Sequence, residues 1–165
     1  MIRWIIFDWG NTVMRELPHY DGAMVDWPHV EAMPGIEQAL QTLRPHYQLA
    51  IATNAQLSDA DKVRGALHRL HLDLYFDVII TAIELGVQKP DPAFFEAVLQ
   101  LCGCAPEEAV MVGDSYLKDV LGAWQAGLRT IWYNWDSTPP PETPLCADAE
   151  IRDLADLSAV LGTLE

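Results

Sequence analysis

The chain has 165 residues, 50 % of them hydrophobic, and carries a formal net charge of −14 from 24 acidic and 10 basic residues. A chain of this length buries roughly two thirds of its unfolded surface, so it can hold a core without disulfides or a structural metal. Its acidity disfavours nucleic-acid backbones and anionic membranes as partners, and no apolar run approaches the ~20 residues that span a bilayer.

The first predicted element is a strand at residues 2–7, an uninterrupted run of β-branched and aromatic residues typical of a strand buried on both faces. The run lacks a small-residue cleavage site and leads directly into a polar motif, so we do not interpret it as a signal peptide. An irregular polar segment follows. A helix is then predicted after Pro34 and Gly35, because Ile36, Leu40 and Leu43 recur on one face.

Further strands alternate with helices along the rest of the chain. Ser58 is the candidate N-cap of one helix, Asp91 with Pro92 starts another, and Gly127 stops a third. Four prolines make residues 136–144 irregular. The remaining predicted elements are strands at 48–52, 77–81, 109–112 and 128–133, helices at 58–69, 92–101 and 117–126, an extended piece at 150–151 and a final helix at 154–161.

This alternation is the signature of βαβ units and predicts an α/β fold with a three-layer, doubly wound parallel sheet. We find no internal repeat and no dividing linker, so residues 1–165 are expected to form a single domain. Three cysteines without metal-ligand spacing are expected to be reduced thiols of a cytoplasmic protein.

Polar side chains follow three of the predicted strands, and two more lie close by in sequence. Ligands bind where the carboxyl ends of parallel strands converge, so these side chains are expected to meet. Together they offer a carboxylate that can attack phosphorus, oxygen ligands for Mg²⁺, and a hydroxyl and an ammonium group for phosphoryl oxygens. They are Asp8, Thr53, Asn54, Lys89, Asp114 and Asp119.

Four segments in this order resemble the motifs of the haloacid dehalogenase superfamily: FDWGNTV, IATNA, GVQKPDP and VGDSYLKD. PGIEQAL, between the first two, is similar to the family as well, and the resemblance covers essentially the whole chain. It implies a Rossmann-like core and an Mg²⁺-dependent hydrolase, in the first place a phosphatase that forms an aspartyl-phosphate.

The resemblance implies a metal site made by four residues. Asp8 would be both the nucleophile and a metal ligand, and Gly10 would offer its backbone carbonyl to Mg²⁺. Asp114 would ligate the metal, and Asp119 would complete or buttress the site.

The resemblance also implies a substrate site for a phosphorylated compound. Thr53, Asn54 and Lys89 would bind its phosphate, and Thr53 and Lys89 would join Asp8 as catalytic residues. No organic cofactor is implied.

Gly10 departs from the phosphatase pattern, in which an aspartate two residues after the nucleophile acts as general acid and base. Loss of such a group costs on the order of 10²–10⁴ in rate, and least for leaving groups that need no proton. The activity is therefore expected to be weak. His19, Asp21, Asp26 and His29 could replace the missing group, or could belong to a solvated loop.

The second departure is the short insert at residues 13–33, which cannot hold a four-helix cap. The expected fold therefore has no cap or only a minimal one. The superfamily's phosphonate hydrolases form a Schiff base with a lysine of a mobile cap. No lysine lies in the insert, so this route has no evident residue here. An open site would suit a large or protein-borne phosphate, or a cover supplied by the second subunit of a homodimer.

Two other functions stay open beside the phosphatase. The first is a catalytically impaired binding or regulatory protein, which Gly10 favours and the otherwise intact motifs disfavour. The second is dehalogenation of a small acid. That reaction needs no metal and usually a closed pocket, so the candidate metal ligands and the missing cap both disfavour it.

Overall fold

The computed structural model describes residues 1–142 and 145–164, and its six strands form one parallel sheet in the order β3-β2-β1-β4-β5-β6. Helices flank this sheet, so the predicted α/β fold is confirmed. The strands are β1 (Trp4–Phe7), β2 (Gln48–Thr53), β3 (Val78–Thr81), β4 (Ala109–Gly113), β5 (Arg129–Tyr133) and β6 (Ala149–Ile151).

Helices connect the successive strands from β1 to β5, a further helix follows β6, and together they cover both faces of the sheet. No helix in the described part of the chain combines the length and the apolar character that crossing a bilayer requires. The α-helices are α1 (Ile36–Leu43), α2 (Ala60–His68), α3 (Ala82–Leu85), α4 (Pro92–Cys102), α5 (Gly122–Gln125) and α6 (Leu157–Leu164). A π-helix at Tyr116–Leu121 precedes α5, and short 3₁₀ turns lie at Met24–Asp26, Asp73–Tyr75, Pro106–Glu108 and Leu154–Asp156.

The strands are largely apolar because successive side chains enter two different cores. Ile5 and Phe7 of β1 pack on the side of α1, α2 and α6. Ile6 of β1 and Met111 of β4 pack on the opposite side, against α4. The sheet is thus the middle of three layers.

Several predicted boundaries shift in the structure. Asp59, not Ser58, is the N-cap of α2, because the Asp59 carboxylate accepts a hydrogen bond from the Lys62 amide while Ser58 is buried. The prediction that Asp91 caps α4 is confirmed by its bond to the Ala93 amide. Strand β1 is shorter than predicted, α3 was not predicted, and the helix predicted at 117–126 is a π-helix joined to α5. The last two residues of the predicted irregular segment 136–144 lie outside the described residues.

The insert at residues 13–33 packs into the core and does not form a separate lobe. Its apolar side chains Val13, Met14 and Met33 are buried in the same cluster as β1 and α1. Met14 also pairs with Gly10 and Ala32 through isolated β-bridges. The fold therefore carries at most a minimal cap.

Arg69, just after α2, holds the insert in place by donating hydrogen bonds to the backbone carbonyls of Val25, Trp27 and Pro28. We expect Arg69→Ala to lower the free energy of unfolding by about 1–3 kcal/mol, because these carbonyls lose a charged donor. Faster hydrogen exchange at residues 23–28 should accompany this loss. In the matched control Arg152→Ala, which removes an exposed surface arginine, stability should change by less than about 0.5 kcal/mol. Equal effects of the two variants would contradict the assignment.

Candidate active site

The strand register places the carboxylates of two separate motifs side by side. Strand β1 lies between β2 and β4, and Phe7 pairs with Ile51 on one side and Val112 on the other. The amide of Asp8 donates to the Val112 carbonyl at 2.9 Å, which continues the ladder one residue beyond β1. Asp8 and Asp114 therefore leave neighbouring strands at the same edge, at the switch point of the doubly wound sheet.

Lys89 joins the site from the loop between α3 and α4. Its Nζ lies 2.7 Å from Asp8 Oδ1 and 2.7 Å from Asp119 Oδ1, and the residue is only 2 % exposed. The two carboxylates outweigh the cost of burying the ammonium group, so the pKa of Lys89 is raised above its ordinary value. Lys89 is thus held as a buried cation between two acidic groups.

Asn54, at the end of β2, fixes the backbone of Lys89. The Lys89 amide donates to Asn54 Oδ1 at 2.8 Å, and Asn54 Nδ2 donates to the Lys89 carbonyl at 2.8 Å. Both ends of the Asn54 side chain are therefore engaged in positioning Lys89. Thr53, one residue earlier, is 3 % exposed and accepts a bond from the Ala55 amide through Oγ1.

Asp119 lies in the π-helix, and its carboxylate is completely buried. One oxygen faces Lys89, and the other accepts a hydrogen bond from the Ser115 amide at 3.0 Å. A Cβ at Gly113 would overlap the Asp119 carboxylate, so the close approach requires glycine there. Because both oxygens have partners, the geometry suits the buttressing alternative for Asp119 particularly well.

The three carboxylates crowd one another. Desolvation, followed by the charges of Asp8 and Asp119, raises the pKa of Asp114 to about 8. Burial likewise raises the pKa of Asp119 to about 6, although Lys89 opposes the shift. The site thus holds more negative charge than the ammonium group of Lys89 offsets.

This donor set fits a hard divalent cation. Asp8, Asp114 and Asp119 each offer one oxygen, and these atoms all lie within 4.8 Å of one another. Carboxylate oxygens are the ligands that Mg²⁺ prefers, and two positive charges would offset the excess negative charge. Gly10, the predicted carbonyl ligand, lies beside them on the wall of the same cavity.

A cavity of about 830 Å³ opens over this cluster, and its wall includes every residue that the sequence predicted for the site. The insert also contributes to this wall, with Arg15, Glu16, Tyr20 and Trp27. His19, Asp21, Asp26 and His29, considered above as substitutes for the missing acid, do not belong to the described residues that line the cavity.

Two residues of the site were not predicted from the sequence. Thr12 is fully buried, with its Oγ1 3.4 Å from Asp8 Oδ2 and 3.5 Å from Asp114 Oδ1. Glu16 places its carboxylate against Gly10, where a side chain at position 10 would overlap it. Burial and the charge of Asp8 raise the pKa of Glu16 above its ordinary value. Thr12 could have been sought in the FDWGNTV motif, whereas no motif pointed to Glu16.

We compared the chain with protein-family models and with known proteins. The model of a family described as haloacid dehalogenase-like hydrolase matches residues 6–133. A phosphoserine phosphatase from Thermus thermophilus is 39 % identical over 110 residues, which are 66 % of this chain and 42 % of that protein. The chain spans between about a third and just over half of the length of the curated relatives it matches.

Solved structures agree with the family in fold. An uncharacterized protein from Listeria monocytogenes superposes with a TM-score of 0.88 at 26 % identity, over 99 % of this chain and 98 % of that one. A 2-haloacid dehalogenase from Pseudomonas syringae superposes with a TM-score of 0.83 over the full length of both chains. Its identity is 23 %, so this likeness concerns the fold alone.

Proposed function

The chain belongs to the haloacid dehalogenase-like hydrolase family, and on that basis we propose that it is an Mg²⁺-dependent phosphatase with Asp8 as its nucleophile. The observation that carries the proposal is the cluster of Asp8, Asp114, Asp119 and Lys89 at the floor of an open cavity. Relatives named as phosphatases support the same reaction class.

Asp8 is the proposed nucleophile that attacks a phosphoryl group. Its side chain is 14 % exposed and lines the cavity, while Lys89 and Thr12 hold it through contacts with its two oxygens. In the first step an Asp8 oxygen forms a bond to phosphorus and the bond to the leaving oxygen breaks. In the second step water attacks phosphorus, which releases inorganic phosphate and restores the Asp8 carboxylate.

Lys89 and Thr53 are the proposed partners of the transferred phosphoryl oxygens. Both line the cavity next to Asp8 and bring an ammonium group and a hydroxyl to the negative charge of the transition state. Asn54 contributes by orienting Lys89 through its two side-chain bonds.

Asp8, the Gly10 carbonyl and Asp114 are the proposed ligands of Mg²⁺, with Asp119 beside them. A bound Mg²⁺ supplies charge neutralisation and orientation for the phosphoryl oxygens. The fully buried Asp119 holds Lys89 in place, and Thr12 lies close to both Asp8 and Asp114.

The cavity volume supports a small phosphorylated metabolite, since about 830 Å³ lies within the range of small-molecule pockets. The insert side chains Tyr20 and Trp27 would bound such a substrate. Four other expectations stay predictions: a large or protein-borne phosphate, a homodimer that covers the site, a cytoplasmic location, and a single domain over residues 1–165.

The test is phosphate release from p-nitrophenyl phosphate and acetyl phosphate, with Mg²⁺ and with a chelator. Both compounds have good leaving groups and ask least of an acid catalyst. Turnover that requires Mg²⁺ supports the phosphatase. Absence of turnover in folded protein that still binds Mg²⁺ would instead support the binding or regulatory protein that Gly10 favours. Halide release from a small haloacid that a chelator leaves unchanged would support the dehalogenase.

Binding of Mg²⁺ can be tested without catalysis. At an Mg²⁺ concentration a hundred times the dissociation constant, we expect stabilisation by about 2.7 kcal/mol, or a rise in Tm of roughly 5–10 °C. Asp114→Asn should remove most of this rise, because it removes one ligand and part of the charge that attracts the ion. In the absence of Mg²⁺, Asp114→Asn should be at least as stable as the parent, because the exchange removes repulsion between the carboxylates.

The control for Asp114→Asn is Asp26→Asn, the same exchange at an exposed position of the insert. It should keep the full response to Mg²⁺. An equal response of all three proteins would place the ion outside the carboxylate cluster.

A further inference from the structure

The proposed reaction needs a group that moves protons, and the carboxylate cluster is poorly placed to provide it. A leaving alkoxide must gain a proton when its bond to phosphorus breaks, and the attacking water must later lose one. Asp8 is occupied by bonding to phosphorus. Asp119 is buried against Lys89 and the Ser115 amide, and Asp114 belongs to the proposed metal site.

One further carboxylate lines the cavity among the residues that the structure describes, and it belongs to Glu16. It comes from the insert and is an exposed residue. Asn11 Nδ2 donates to Glu16 Oε2 at 3.3 Å, and Asn11 Oδ1 accepts from the backbone amide of Glu16 at 3.0 Å, so Asn11 holds both the carboxylate and the backbone of Glu16. A substrate in the cavity that Asp8 and Glu16 both line would therefore meet a positioned carboxylate.

The carboxylate of Glu16 lies directly beside Gly10. The backbone of Gly10 is outside the left-handed region, so its conformation does not require glycine. A Cβ at this position would overlap the Glu16 carboxylate, which is the movable end of an exposed side chain, so a larger residue here would have to displace Glu16. The carboxyl group of Glu16 thus fills the volume next to the nucleophile loop that a side chain at position 10 would take.

We propose that Glu16 is the proton-transfer residue of this site, an inference that rests on the proposed function. Glu16 in its acid form gives its proton to the leaving oxygen as Asp8 bonds to phosphorus and the ester bond breaks. The resulting Glu16 carboxylate then takes a proton from the water that attacks the phosphoryl group on Asp8. That step releases phosphate and returns both side chains to their starting forms, so protons and electron pairs balance.

The first test compares Glu16→Gln with the parent on p-nitrophenyl phosphate and phenyl phosphate, which have nearly the same shape. Phenolate is the more basic leaving group and needs the proton more. We expect kcat/KM for phenyl phosphate to fall on the order of 10²-fold or more, and for p-nitrophenyl phosphate less than about tenfold. With p-nitrophenyl phosphate, the kcat of Glu16→Gln should fall, but the initial burst of nitrophenolate should remain. The first step needs little acid catalysis with this leaving group, whereas hydrolysis of the aspartyl-phosphate lacks its base.

The control is Glu37→Gln, the same exchange at an exposed position of α1 outside the cavity. It should leave kcat/KM unchanged for both substrates. The role of Glu16 would be overturned if Glu16→Gln lost the same activity on both substrates, or lost none on either. The phosphatase proposal would still stand in that case, provided that the parent showed Asp8-dependent turnover. A parent without any Asp8-dependent turnover would overturn both.

A second test moves the carboxylate from position 16 to position 10. Gly10→Asp alone should not raise turnover of phenyl phosphate, because the new carboxylate has to displace that of Glu16 and so exchanges one proton-transfer group for another. Glu16→Ala should lose phenyl phosphate turnover as Glu16→Gln does. The double variant Gly10→Asp/Glu16→Ala should recover to within about tenfold of the parent, and no recovery in a folded double variant would contradict exchange of the two positions.

Discussion

Asp8→Asn is expected to abolish phosphate release, with kcat lower by on the order of 10⁴ or more. Asparagine keeps the shape of the side chain but cannot form the acyl-phosphate, so both steps of the reaction disappear. The protein should still fold, because Lys89 retains its 2.7 Å ion pair with Asp119. The measurement is release of phosphate from acetyl phosphate and p-nitrophenyl phosphate at saturating Mg²⁺.

Asp26→Asn is the matched control for this variant as well, since it changes an exposed aspartate outside the cavity. It should keep the turnover of the parent. Acid quenching of the parent during turnover of p-nitrophenyl phosphate should trap phosphate on the protein, and Asp8→Asn should trap none. Residual turnover of Asp8→Asn near that of the parent would exclude Asp8 as the nucleophile.

Lys89→Met is expected to give the largest loss of stability of the variants discussed. Removal of one partner of a buried ion pair leaves an uncompensated charge and costs about 3–5 kcal/mol. Here the carboxylates of Asp8 and Asp119 both lose their counter-charge, with side chains only 14 % and 1 % exposed. For a chain of this size the loss corresponds to a fall in Tm of roughly 6–20 °C, which thermal unfolding without Mg²⁺ would measure.

Two further variants separate charge from packing at this position. Lys62→Met removes an exposed lysine of α2 and should change stability by less than about 0.5 kcal/mol. Adding Asp119→Asn to Lys89→Met should recover part of the lost stability, because the buried carboxylate no longer lacks a counter-charge. If Lys89→Met were as stable as the parent, the buried pairs would contribute nothing to folding.

The fold and most of the site could be predicted from local sequence. Apolar runs identified the strands because a strand covered on both faces must be apolar at every position. Polar residues placed directly after those runs, such as Asp8, Thr53 and Asp114, were expected at one edge because parallel strands end together. Sequence was less reliable for boundaries: the choice between Ser58 and Asp59 as N-cap depended on which side chain the core buried.

The tertiary structure alone decided how these residues bind one another. That Asn54 secures Lys89 across 35 positions, and that Lys89 is shared by Asp8 and Asp119, follows from loop packing that no local pattern encodes. Gly10 in the sequence indicated only a missing aspartate. Folding of the insert against the core brings the Glu16 carboxylate into that space. The sequence could not show this, because a side-chain position that depends on tertiary packing leaves no periodicity and no motif.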